Sequence, residues 1–110
     1  LETVGDIAFT GQVLEGLDPK DLRGLVDEAK ARLGEGIAAL VAVNDGRASV
    51  AIGVTAGLSS RFSAVDLVRL AVAELGGQGG GGRPDMAQGG GPDGANAKAA
   101  LDAVRAAIAA

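Results

Sequence analysis

The fold of this 110-residue chain follows from one stretch, Ile37-Ala-Ala-Leu-Val-Ala-Val-Asn-Asp-Gly-Arg-Ala-Ser-Val-Ala-Ile-Gly-Val54. Residues 37–43 are apolar without interruption, a pattern typical of a buried strand. Asn44-Asp45-Gly46 favours a tight turn, and residues 48–54 supply the returning strand. The stretch therefore predicts a buried β-hairpin.

A strand and a helix are predicted before this hairpin. Residues 7–13 carry apolar side chains at odd positions, as a strand does. Asp18 is suited to cap a helix, and Pro19 is suited to its first position. Gly34 or Gly36 is suited to end the helix in a left-handed turn. The apolar stripe of the helix consists of Leu22, Leu25, Val26, Ala29 and Leu33.

A second helix and a glycine-rich segment are predicted after the hairpin. Residues 55–62 form a connector, and Ser63 with Asp66 resembles a capping box at the start of a helix that ends at Gly76-Gly77. Residues 76–94 contain ten of the 19 glycines. Within them, Met86-Ala87-Gln88 is expected to pair as an edge strand. Pro92-Asp93-Gly94 then opens an alanine-rich helix over roughly residues 95–109.

The order of these elements predicts one small domain of the α/β or α+β class. Strand, helix, hairpin, helix, glycine-rich segment and helix favour a mixed sheet of four to five strands with three helices packed on it. The length fits a single domain over residues 1–110. Because the first residue is Leu1 rather than Met, we expect a piece of a longer protein.

The composition excludes most catalytic chemistry. The chain has no histidine and no cysteine, so a Ser-His-Asp triad, a thiol nucleophile and a zinc site built on these ligands are impossible. Trp and Tyr are absent and only Phe9 and Phe62 are aromatic, which disfavours base stacking. No apolar run reaches about 18 residues, so no membrane partner is expected. A binding or assembly module is the better expectation.

The net charge of −4 is unevenly distributed. Residues 1–55 hold five basic and nine acidic side chains, whereas residues 56–110 hold five of each, so a phosphate-facing surface is expected in the second half. Arg61 precedes a helix start, where free N–H groups favour phosphate; a solvated loop arginine is the simpler interpretation. The remaining cations considered, which are expected on ordinary polar surface, are Arg47, Arg69, Lys98 and Arg105.

The glycine-rich segment admits two main interpretations. Consecutive glycines let N–H groups converge on an anion, since no Cβ blocks a close approach. Arg83 at the end of the run can present two donors to a phosphate, while Asp85 and Gln88 can orient Arg83 or contact a sugar or base. The alternative is a tight turn required for packing alone. A dinucleotide fingerprint needs a strand before the glycines, and here a helix precedes them.

The segment Gly-Gly-Gly-Gly-Arg-Pro-Asp-Met-Ala-Gln-Gly-Gly, residues 79–90, resembles the signature near the C-terminus of bacterial alanyl-tRNA synthetases. The surrounding order of elements, with residues 22–27 in the first helix and residues 52–55 ending the hairpin, is similar to the DHH-associated domain of that family. One departure is the fourth glycine before Arg83, where three are expected. The resemblance covers essentially the whole chain.

The resemblance implies a mixed α/β fold that holds the outer corner of tRNA(Ala) and helps the aminoacylation and editing domains of the same chain act on one tRNA. It implies a nucleic-acid-binding loop and no catalytic residue. The ATP, magnesium and zinc of such an enzyme would lie elsewhere in the longer chain, so no cofactor is expected here. A cytoplasmic location and a possible homodimer are also implied. The residues of this loop that match the family are Gly79, Gly80, Gly81, Gly82, Arg83, Asp85 and Gln88. Arg61 is added to the candidate binding residues because of its position before a helix start.

Two other functions remain open at this point. One is the substrate-binding domain of a DHH-type phosphoesterase; those domains commonly carry a histidine in the glycine loop, where this chain has Arg83-Pro84-Asp85. The other is an oligomerisation module, which the acidic net charge suits.

Overall fold

The structure, a computed structural model, describes residues 2–110. Its six strands are β1 (Glu2–Val4), β2 (Ile7–Glu15), β3 (Ile37–Asn44), β4 (Arg47–Val54), β5 (Gly81–Arg83) and β6 (Met86–Gly91). Its helices are α1 (Leu22–Leu33), α2 (Ala64–Glu74) and α3 (Ala97–Ala109). None of the helices in these described residues is long and apolar enough to cross a membrane.

The six strands form one sheet in the order β1-β2-β3-β4-β6-β5. Strands β2 and β3 pair in parallel and every other pair is antiparallel. Parallel neighbours need a crossover, and α1 supplies it. Helix α1 packs on one face of the sheet over β3 and β4, and α2 and α3 pack together on the other. The predicted fold class, a mixed α/β domain, is confirmed.

The central hairpin has the predicted turn chemistry. Asp45 and Gly46 both adopt positive φ, +52° and +78°, as a two-residue turn with matched twist requires. The strands pair in register from Asn44↔Arg47 to Ile37↔Val54. Most of their side chains are buried on both faces, which explains the uninterrupted apolar run.

The sheet has six strands, whereas four to five were predicted, and its edge strand is not the one that was predicted. The prediction of Met86-Ala87-Gln88 as an edge strand is wrong, because β6 lies between β4 and β5 and continues to Gly91. The true edge is β5, whose Gly81-Gly82 has no apolar alternation to mark it. Glycines at the end of β6 pair with Ala48 to Val50 of β4 without contributing any side-chain pattern.

The predicted helix starts are correct in position but differ in their capping. The carboxylate of Asp18 accepts the Lys20 N–H at 3.1 Å and opens a short 3₁₀ turn, Pro19–Asp21, before α1. The capping box at Ser63 is wrong, since its side chain makes no capping bond. Instead the Ala64 N–H donates to the Pro84 carbonyl at 2.8 Å. A tertiary contact thus satisfies the first of the free N–H donors at the start of α2.

Arg105 joins the last helix to the first strand. Its Nη2 and Nε donate to the two carboxylate oxygens of Glu2 at 3.0 and 3.1 Å, and Nη1 donates to Asp102 at 3.0 Å. The guanidinium also lies 5.3 Å from the centre of the Phe9 ring. The hydrogen bonds to Glu2 raise the pKa of Arg105 above its already high usual value. The side chain is therefore an internal cross-link rather than ordinary polar surface.

Replacement of Arg105 by alanine is expected to lower the free energy of unfolding by about 1 kcal/mol, because a bidentate pair with 27% side-chain exposure is lost. Urea unfolding followed by circular dichroism measures the change. Lys98→Ala on the same helix is the matched control and should change stability by less than about 0.5 kcal/mol. Equal stability of the two variants would contradict the proposed cross-link.

Candidate nucleic-acid interface

The glycine-rich segment forms an ordered β-hairpin at the sheet edge. Strands β5 and β6 pair with Arg83 opposite Met86 and Gly81 opposite Gln88, so Pro84 and Asp85 make the turn. Of the four glycines before Arg83, Gly81 and Gly82 therefore lie in β5, whereas Gly79 and Gly80 precede the strand with positive φ. Such an edge leaves backbone groups open on its outer side.

Most glycines of the glycine-rich segment, residues 76–94, lie where packing leaves no room for a Cβ. A Cβ on Gly77 would overlap the carbonyl oxygen of Gly90. A Cβ on Gly89 would lie 2.5 Å from Cγ2 of Val72 in α2, and one on Gly80 would lie 3.2 Å from Cγ1 of Val68 in the same helix. The packing interpretation of the glycine run thus accounts for the side of the hairpin that faces α2.

Gly81 differs from its neighbours. Nothing lies within 4 Å of a Cβ built on it, and its φ is not in the left-handed region. Gly79 also has open space, but its φ of +82° favours glycine on backbone grounds. The fold therefore gives a reason for Gly79 and none for Gly81. An exposed position without a side chain permits a close approach to the backbone from solvent.

The hairpin turn is fixed by three donors from separate elements. The Pro84 carbonyl accepts the first N–H of α2, as described above. The Asp85 carbonyl accepts the Val54 N–H at 3.0 Å and the Lys30 ammonium at 3.2 Å. These bonds hold the backbone on which Arg83 stands, while the Arg83 side chain remains exposed.

Three of the predicted site residues share one side of the sheet. Met86 belongs to the apolar cluster beneath α1. Arg83 faces the same side, because directly paired residues project together. By alternation, Gly81 and Gln88 lie there as well. Helix α1 covers β3 and β4 and leaves this part of the sheet open, so Gln88 is exposed.

The other predicted site residues lie elsewhere. Gly80 faces α2, Gly82 packs against Ala87 of β6, and Asp85 contributes its carbonyl to the turn. The Arg61 guanidinium lies 3.5 Å from the Asp6 carboxylate and 5.3 Å from the centre of the neighbouring Phe62 ring. Arg61 is thus paired with the turn between β1 and β2. The helix start that follows it already donates to Pro84.

Sequence reasoning missed two participants. Lys30 anchors the hairpin although it lies 55 residues from Asp85 in the chain, and no local signal connects positions so far apart. Arg69 donates from Nε to the Gly80 carbonyl at 3.5 Å, a long bond that ties α2 to the glycine segment. Arg69 is otherwise exposed, as expected of a residue on polar surface.

The arrangement presents hydrogen-bonding groups along one edge of the sheet. In residues 2–110, no three acidic side chains come together as metal ligands, and the sequence has no histidine or cysteine. What remains is a cation, an amide and open backbone on one side of a rigid edge. The chain is thus a small mixed α/β domain with an open, polar sheet edge.

The chain belongs to the DHHA1 domain family, whose model matches residues 6–110. It is 69% identical over 108 residues to an alanine–tRNA ligase of Rhizorhabdus wittichii and 65% identical over 109 residues to that of Sphingopyxis alaskensis. These matches cover 98% and 99% of this chain but 12% of each relative. The chain thus spans about an eighth of the length of these relatives.

Solved structures agree with this family. The C-Ala domain of Aquifex aeolicus alanyl-tRNA synthetase superposes with a TM-score of 0.93 at 29% identity, covering 99% of this chain and 97% of that one. The resemblance to the C-terminal domain of alanyl-tRNA synthetases is confirmed. RecJ of Thermus thermophilus matches with a TM-score of 0.64 at 22% identity, covering 92% of this chain and 14% of that one, and so shares the fold.

Two alanine substitutions should separate the packed glycines from the open one. Gly77→Ala is expected to lower the free energy of unfolding by about 1–3 kcal/mol, because the Cβ meets rigid backbone at Gly90. Gly81→Ala should stay within about 0.5 kcal/mol of the unsubstituted chain. Thermal or urea unfolding measures both. Comparable losses in the two variants would show that Gly81 is also held by packing.

Proposed function

We propose that this chain is an accessory domain of an alanine–tRNA ligase that binds tRNA(Ala) and carries no catalysis itself. In this proposal it holds the outer corner of the tRNA for the aminoacylation and editing domains of the same protein, in the cytoplasm. The observation that carries the proposal is the rigid β5–β6 hairpin, which presents Arg83 beside Gly81 and Gln88 on an open side of the sheet.

The names of the similar proteins and the chemistry of the hairpin side chains both support tRNA as the partner. The relatives with 65–69% identity are named alanine–tRNA ligases. An exposed arginine can donate two hydrogen bonds to one phosphate, and an exposed amide can contact a sugar or a base edge. Glycine at position 81 lets a phosphate approach the backbone closely. These groups recognise a nucleic-acid backbone and require no metal.

The net charge of the chain disfavours its binding to RNA. A net charge of −4 repels a polyanion at long range. Binding must therefore depend on a few local cations, so we expect weak binding whose decrease with salt has a slope set by this small number of phosphate contacts. In the longer protein, attachment to domains that also bind the tRNA would raise the effective concentration of this domain.

The principal alternative is the substrate-binding domain of a DHH-type phosphoesterase. It draws on the fold shared with RecJ, at 22% identity. A mononucleotide would then bind as well as folded tRNA does. An oligomerisation module is the other alternative, and the half-exposed apolar side chains Val13 and Leu70 are the observation in its favour.

Arg83→Ala is expected to weaken binding to a folded tRNA(Ala) transcript and to reduce the slope of log Kd against log salt by about one, since one phosphate contact is lost. Fluorescence titration at several salt concentrations measures both quantities. Arg32→Ala removes the same charge from the far flank of α1, beside Thr10 and Gln12 of β2, and serves as the control.

Three outcomes would overturn the proposal or its assignment to the hairpin. An unchanged slope in Arg83→Ala would remove Arg83 from the interface. Preference for AMP over the folded transcript would favour the phosphoesterase function. A concentration-dependent dimer in sedimentation, with no change when the transcript is added, would favour the oligomerisation function.

A further inference from the structure

The cations without an ionic partner are concentrated around one surface. Three of the ten cations form salt bridges in the described residues, namely Lys20, Arg61 and Arg105. Of the remaining seven, four border the part of the sheet that α1 leaves open. These four, which include three from the acidic first half of the chain, are Arg23, Lys30, Arg47 and Arg83.

Two of these cations lie on the flank of α1 that faces β4. A Cβ on Gly53 of β4 would lie 2.6 Å from Val26 Cγ1 and 2.5 Å from Lys30 Cδ, so this flank lies against β4. Arg23 precedes Lys30 by seven residues, which is nearly two helical turns and keeps both on one flank. Their Cα atoms are separated by roughly 10 Å along the helix.

The other two cations stand on strands. Arg47 and Gly53 of β4 are on the same face because they are an even number of residues apart. Arg83 faces this side from β5, at the opposite corner. The surface between the four cations, here called the open sheet face, consists of Ser49, Gly81, Gln88 and Gly90.

The open sheet face is polar and shallow. Ser49 lies opposite Gly90 and Gln88 opposite Ala51; Gln88 is exposed, whereas Ser49 and Gly90 are half-buried. No hydrogen bond within residues 2–110 engages the side chains of Ser49 or Gln88. These groups remain able to bond an external donor or acceptor.

The charge of this surface has the opposite sign to that of the chain. Asp27, Asp45 and Asp85 lie at its border, and none of them forms a salt bridge with the four cations in the described part of the chain. Four cations against three carboxylates leave a small positive surplus on a chain of net charge −4. A polyanion with spaced phosphates is the partner that this distribution complements.

We propose that one strand of the RNA backbone lies across the open sheet face, with phosphates at Arg83, Lys30, Arg23 and Arg47 and sugars against Gln88 and Ser49. This inference rests on the proposed tRNA-binding function and deepens it. It assigns binding residues in α1 and β4, outside the glycine-rich segment. Gly81 is then a glycine because the backbone of the RNA passes close to it.

The first test compares two double variants that remove equal charge. Arg23→Gln with Arg47→Gln removes two cations of the open sheet face, and Arg32→Gln with Lys98→Gln removes two cations elsewhere. With a tRNA(Ala) transcript, the first pair should lower the salt slope by about two and weaken binding at least fivefold relative to the second pair. Equal effects of the two pairs would overturn the inference.

The second test uses the absence of cysteine from the sequence. Gln88→Cys and Lys98→Cys are each labelled with a thiol-reactive benzophenone and irradiated with the same transcript. We expect a crosslink to RNA from position 88 and little or none from position 98. Crosslinking from position 98 alone would overturn the inference even if a label at position 88 obstructed binding.

The failure of this inference can be told apart from failure of the proposed function. If the unsubstituted chain binds the transcript and Arg83→Ala weakens binding, but the Arg23 and Arg47 pair behaves like its control, the open sheet face is wrong and tRNA binding stands. If the unsubstituted chain does not bind the transcript, both are wrong.

Discussion

The fold depends on burying both faces of the β3–β4 hairpin. Their side chains alternate between two apolar clusters, one beneath α1 and the other beneath α2 and α3. A strand pair without a polar face must be covered on both sides, so the chain has to place helices above and below it. Helix α1 lies in the crossover between β2 and β3. Because this crossover carries the chain back to the starting end of β2, β3 pairs with β2 in parallel.

Helical cover is unequal on the two faces, and this asymmetry creates the candidate interface. Two helices cover one face, whereas the single helix α1 covers only the middle strands of the other. The β6–β5 edge is therefore packed on the α2 side and open on the α1 side. The glycines reflect this division: Gly77, Gly80 and Gly89 permit contact with α2 or within the hairpin, whereas Gly81 faces solvent. One glycine run thus serves both packing and surface exposure.

Ion pairing determines which cations remain for a ligand. Arg105 and Arg61 are held by carboxylates near the first turn, Glu2 and Asp6, and so stabilise the β1 edge. The cations near the β5 edge have no such partners in residues 2–110. An acidic chain can in this way carry a local surface suited to phosphate. Net charge describes long-range attraction, while short-range binding depends on the cations that are not already neutralised.

The helices, the central hairpin and the exclusion of histidine and cysteine chemistry could be predicted from the amino-acid sequence alone. These features are local: a run of apolar residues, a turn sequence or a composition is complete within a few neighbouring positions. Its signature over residues 79–90 also indicated the family. The whole fold was needed to show that β6 is an interior strand, that Ser63 makes no capping bond, and that Arg61 pairs with Asp6. It alone brought Lys30 to the hairpin turn, because contacts between distant positions arise from packing of the whole sheet and leave no periodicity in the chain.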